Sequence, residues 1–279
     1  MRHCVFYFYT TSPLPPFENM MHRLTLLYLL MAGLAQAQMR YSRLVVPANQ
    51  EFVFEAQADI LVVDTLILKN QAVVRLNALR PENFIRAQVL IVEEYATIDG
   101  RGANGLQGRN GRTGASGNGP CQSGAQGLPG QDGVVGAPGV NLTIYCQQLV
   151  IGKQLVIQLS GGNGGNGGTG GRGGDGSSGT LQCAAGNGGN GGPGGRGGNG
   201  GRGGNFVFQG PQALTLREEL GSRLMVLNDG GLPGRGGTGG LPGAGGPAPK
   251  GTYGKNGFTG PDGPMGTRGY PGTITFRTN

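Results

Sequence analysis

Residues 161–176 read GGNGGNGGTGGRGGDG: eleven glycines in sixteen residues, no hydrophobic side chain, and a repeat of three. A flexible linker has no reason to keep a three-residue register. Here the register extends over residues 102–117, 124–139, 161–179, 186–204, 231–246 and 251–272, each with glycine at every third position. These are six limbs, two per excursion, with the interruptions NGPCQS (118–123), TLQCAA (180–185) and PAPK (247–250) between partners. Glycine at a period of three points to the extended left-handed helix with three residues per turn.

Each excursion leaves one apolar run and returns to another, so its limbs run out and back. Collagen uses parallel chains, whereas antiparallel neighbours suit a polyglycine-II bundle, whose sideways N–H and C=O groups bond to adjacent helices and so are satisfied when buried. Two of the three rows of the third and fourth limbs are nearly all glycine, leaving one row of side chains such as Asn163, Asn166 and Thr169, or Asn187, Asn190 and Pro193. Those limbs are expected innermost, the first, second and sixth at the periphery, and the fifth between. At ~3.1 Å per residue each limb is on the order of 50 to 65 Å long.

Outside the limbs the chain is apolar in short β-branched runs, the composition of strands. Aligned, they repeat: TLILKNQAVVRLN from Thr65, QVLIVEEYATIDG from Gln88, QLVIGKQLVIQLSGG from Gln148 and QALTLREELGSRLMVLNDGG from Gln212. Each copy reads as a strand, a polar turn and a second strand, with LREELGSRL at 216–224 as an alternative helical turn. Such units bury their apolar faces by stacking. The expected fold is therefore mainly β: a stacked-strand β-solenoid scaffold, with a bundle of about six polyglycine-II helices formed by the three excursions. The divisions are solenoid start 38–99, excursion 100–139, rung 140–160, excursion 161–204, rung 205–229, excursion 230–272 and closing strand 273–279.

The sequence MMHRLTLLYLLMAGLAQA from Met20 has a charged residue, a short apolar run and the small-x-small signal Ala35-Gln36-Ala37. It reads as a secretory leader behind an upstream extension, cleaved after Ala37. Cleavage removes both histidines, His3 and His22, and with them Ser-His-Asp, Cys-His and His-ligated zinc chemistry. No cofactor or metal is expected. Cys121 and Cys183 each precede the first glycine of a return limb by three residues, so both fall in distal turns and are expected to pair in an oxidising compartment. Cys146 is expected to stay reduced and buried; pairings that involve it are the alternative. The net charge of +7 resides in the glycine excursions, where ten Lys/Arg stand against three acids.

The six glycine-triplet limbs with turns at one end resemble two kinds of polyglycine-II protein, the tip adhesins of phage long tail fibres and the glycine-rich antifreeze protein of springtails. The first resemblance implies recognition of a surface receptor by the turns. The primary expectation is a secreted or cell-surface structural or adhesive protein, monomeric, without a transmembrane segment or a specific nucleic-acid partner. Its partner would be a surface glycan or receptor, acidic ones included. The contact candidates are Asn118, Gln122 and Ser123, then Thr180, Leu181 and Gln182, then Pro247, Pro249, Lys250, Thr252 and Tyr253, with Arg172, Arg196 and Arg202 as a basic limb face. The alternatives are a collagen-like trimer, a polysaccharide lyase or hydrolase on a β-helix, and an ice-binding protein. Asp99 and Asp229, where strands enter glycine tracts, read as turn residues. Asn141-Leu142-Thr143 forms a glycosylation sequon.

Overall fold

The structure, a computed structural model, describes residues 38–249 and 251–278. The expected leader and Lys250 lie outside them. The chain is mainly strand, in two parallel sheets that it visits alternately. β1 (Gln38–Val46), β3 (Ile60–Leu68), β5 (Glu82–Val92), β7 (Asn141–Ile151), β9 (Phe206–Gln209) and β11 (Ile274–Arg277) form one sheet in that order. β2 (Glu51–Val53), β4 (Ala72–Arg75), β6 (Tyr95–Asp99), β8 (Gln154–Gln158) and β10 (Leu224–Leu227) form the other. This is a β-solenoid-like coil, each turn of which lays one strand on each sheet.

Period-two alternation sends like residues inward at the same height of every turn. The register stacks Leu61, Ile85, Ile144, Phe208 and Phe276 on one sheet and Val74, Ile98, Ile157 and Val226 on the other. All of these but Val226 and Phe276 are at most 1% exposed. The long strands bend midway. Partners pass from Val63 to Thr65, from Ala87 to Val89 and from Cys146 to Gln148, so Asp64, Gln88 and Gln147 sit at the bend without a ladder partner. The inward phase resets there, from Leu61 and Val63 to Leu66 and Leu68.

The copy from Gln212 departs from the strand–turn–strand expectation. Gly210 and Pro211 end the strand, and residues 213–218 form a short helix, α1 (Ala213–Glu218), that buries Ala213 and Leu216. Those two lie three residues apart, on one helical face. The Gln212 side chain accepts a hydrogen bond from Leu149 N–H (2.5 Å), supplying the bond that a further strand would have made.

The returns from even to odd strands explain where the excursions lie. The first two are short, residues 54–59 and 76–81; the next three are residues 100–140, 159–205 and 228–273. All three excursions thus leave and re-enter at the same corner of successive turns. Asp99 holds the first exit. It is 5% exposed, accepts from Arg101 Nη2 at 2.8 Å and Nε at 3.0 Å, and lies 3.4 Å from Arg75 Nη1. Burial pushes its pKa up, but the Arg101 hydrogen bonds and charge, with the Arg75 charge, outweigh that and hold it below 3.8. A depressed folded value means that this stabilisation is complete above the unfolded value of about pH 4 and is lost as pH falls through the folded one. Asp99→Asn is expected to cost about 1–2 kcal/mol at pH 7. In urea unfolding the gap to the parent should narrow steadily below about pH 4; a gap independent of pH contradicts the assignment.

Candidate functional site

Backbone hydrogen bonds link the limbs at every third residue. Outbound limbs bond in parallel: Gly105 N–H donates to Asn163 C=O (2.7 Å), and Gly164 N–H to Leu232 C=O (2.9 Å). Return limbs do the same, Gly133 to Arg196 (2.8 Å) and Gly191 to Phe258 (2.8 Å). Outbound and return limbs bond antiparallel, as in Val134 to Leu106 (2.8 Å), Gly165 to Val134 (2.9 Å) and Gly198 to Gly165 (2.8 Å).

The third and fourth limbs each bond to four others, as their double glycine rows require. The first and sixth bond to two. The second, expected at the periphery, bonds to three, like the fifth. The physical reason is that a close contact needs glycine on one side only. A Cβ on Gly165 or Gly168 would run into the carbonyl of Leu106 or Arg109, yet the side chains of those two residues point away and are exposed.

The third to sixth limbs have further N–H groups that meet no neighbouring carbonyl, and side chains on the adjacent limb accept from many of them. Asn104 and Asn110 Oδ1 accept from the N–H groups of Asn163 (2.8 Å) and Thr169 (2.9 Å). Asn163, Asn166 and Asp175 serve Leu232, Arg235 and Ala244 in turn (2.8–2.9 Å). Among return limbs, Asp132 serves Arg196 (2.7 Å), and Asn187, Asn190 and Asn199 serve Lys255, Phe258 and Thr267. Two prolines of the sixth limb stand where no acceptor is offered. By the same 68-residue offset Pro193 and Arg196 face Pro261 and Pro264, which have no N–H to satisfy. The Asn row is thus a set of backbone caps. Its role escaped the sequence reading, although the interchange of Asn, Asp and Ser with Pro along one row was its visible trace.

The turns are fastened together at the far end. Cys121 and Cys183 form a disulfide with Cα atoms 6.0 Å apart. Cys121 N–H donates to Ser178 C=O (2.9 Å), and Gly179 N–H to Pro247 C=O (2.9 Å). Three expected contact residues are engaged internally. Gln122 Oε1 accepts from Asn118 and Gly119 N–H, Ser123 Oγ from Asn187 N–H, and Thr180 Oγ1 from Gln182 and Cys183 N–H. Asn118, Leu181, Gln182, Pro247, Pro249, Thr252 and Tyr253 remain exposed.

The three arginines do not share a row. Arg172 belongs to the row capped between the first and fifth limbs and is paired with Asp175 (2.7 Å). Arg196 and Arg202 lie in the row between the second and sixth. The sequon Asn141 is also engaged: its Oδ1 accepts from Asn205 N–H (2.7 Å) and its Nδ2 donates to Glu82 (2.6 Å). Cys146 is free and 2% exposed; burial raises its thiol pKa, opposed by hydrogen bonds from the backbone at Gln148 and Leu90. Among the described residues no helix is long and apolar enough to cross a membrane.

No protein-family model matches the chain, and no curated protein matches it in sequence. A solved structure, the nine polyproline type II helical bundle antifreeze protein of the springtail Granisotoma rainieri, is 26% identical over 58% of this chain and 94% of that one, with a TM-score of 0.10. At that score nothing about this chain follows from the similarity.

Proposed function

We propose that the chain is a secreted adhesive protein. In this reading a β-solenoid carries a two-layered polyglycine-II bundle at one corner, and the bundle presents its three turns to a surface glycan or receptor. The triplet-spaced lateral hydrogen bonds support the bundle. So does the backbone: among the described glycines only Gly221 and Gly251, the first residue of the sixth limb, have positive φ, so the other limb glycines keep the negative φ that the left-handed threefold helix requires. The antiparallel bonds between partner limbs favour a self-contained monomer over a collagen trimer.

The observation that carries the adhesive reading is the tying of three turns into one end, with Leu181 80% and Tyr253 67% exposed on it. Exposed apolar side chains on a rigid polar mount are what a contact surface needs. Alanine at Asn118, Leu181, Gln182 and Tyr253 together is expected to weaken binding to cells or immobilised glycans by about tenfold or more, with melting unchanged. Undiminished binding would take the contact site off the turns.

A further inference from the structure

The outward face of the β1–β11 sheet carries a groove of about 800 Å³ that none of the turn residues lines. Three columns of side chains build it, each running across the strands. One contains Ile60 and Phe84, half-buried. The next belongs to an unbroken register row, Arg40, Val62, Arg86, Tyr145, Gln209 and Arg277, whose four middle members line the groove while Arg40 and Arg277 lie beyond its ends. The third stands at the strand bend: Asp64, Gln88 and Gln147, the residues without ladder partners.

Parallel strands repeat at about 4.8 Å, so Arg40 lies about 10 Å and Arg277 about 14 Å from Arg86 along the row. All three arginines are exposed, and none has a carboxylate partner among the described ion pairs. Asp64 is the one acid in the lining. Arg86 is the one cation in the lining, but the row that crosses the groove continues to Arg40 and Arg277, and a row with three cations and no acid attracts a polyanion laid along it. The cleft also offers an amphipathic ring in Tyr145 and side-chain amides that both donate and accept. Its side chains are spaced at the constant step of the strands along the coil axis.

We propose that this groove binds a linear acidic polysaccharide laid along the coil axis. Its carboxylates meet Arg86, with Arg40 and Arg277 flanking, a sugar ring lies on Tyr145, and hydroxyls bond to Gln88, Gln147 and Gln209. Asp64 accepts from hydroxyl groups, and the side-chain amides with a single aromatic ring suit sugar hydroxyls and one sugar face, not a run of phosphates and stacked bases, which disfavours nucleic acid. The groove is a separate site from the turns, so it succeeds or fails independently of them.

The test is calorimetric titration of the purified protein with polygalacturonate oligomers, with neutral cello-oligosaccharides and single-stranded DNA as comparisons. Polygalacturonate is expected to bind and the comparisons not to. Arg86→Gln and Tyr145→Ala should each weaken binding by about tenfold without a change in melting. Gln147→Ala should weaken it less, and Leu181→Ala and Tyr253→Ala should leave it unchanged. Absence of binding at millimolar oligomer, equal binding of the neutral sugar, preference for DNA, or sensitivity only to the turn variants would each overturn the proposal.

Discussion

Gly171→Ala is expected to cost more than about 4 kcal/mol, the range in which single substitutions are exceptional. The added methyl would fall on the Arg112 carbonyl of the first limb, with Leu128 N of the second limb 3.0 Å away. Both neighbours are backbone, so neither can turn aside as a side chain tip can. Relief requires moving a limb, which stretches the bonds from Gly111 to Thr169, from Gly114 to Arg172, from Gly171 to Leu128 and from Gly192 to Gly171. Four bonds at about 1 kcal/mol net each account for the magnitude. Thr169→Ala, two residues away in the exposed row, removes no described hydrogen bond and should stay within about 0.5 kcal/mol. Urea unfolding of the two variants checks the contrast. Equal stabilities would mean that the limbs do not touch at the distances described.

The contrast also shows which part of the architecture was legible in the residues. Glycine spacing is a local property: with three residues per turn it marks which rows of a limb stay bare, and the double rows of the third and fourth limbs correspond to four bonded neighbours each. The strand repeats at Thr65, Gln88 and Gln148 were legible for the same reason, since alternation needs no knowledge of the partner. The caps were not legible. Asn163 serves Leu232 across 69 residues, an offset set by the lengths of two limbs, a turn and a rung together. No local pattern encodes that sum. The groove was hidden by register as well: Arg40, Arg86 and Arg277 align through offsets of 22 to 68 residues between successive strands, which no local pattern encodes. The six-residue helix α1 rests on a single pair, Ala213 and Leu216, too few to outweigh a strand reading made by analogy with three earlier copies.

Removing the disulfide is the other large effect. Cys121 and Cys183 are 62 residues apart, and the chain between them holds the second limb, β7, β8 and the third limb. Closing a loop of that length in the unfolded chain reduces its entropy by the equivalent of about 4 kcal/mol in the chain-entropy account. Glycine-rich limbs make the term matter, because glycine gives up more conformational freedom on ordering than any other residue. The loss has a direction along the limbs. The scaffold corner is anchored by the buried ladders, so opening should start at the turns. Cys121→Ser with Cys183→Ser should therefore speed amide exchange at Cys121, Gly179 and Gly186 before it affects Gly102, Gly162 or the strands. Among the described cysteines, native protein treated with alkylating agent should show none modified, and denatured unreduced protein only Cys146, which is buried as a free thiol. If the double variant unfolds within about 1 kcal/mol of the parent and exchange at the turns is unchanged, lateral backbone bonds alone hold the far end. A rigid mount for the turns would then not depend on an oxidising compartment.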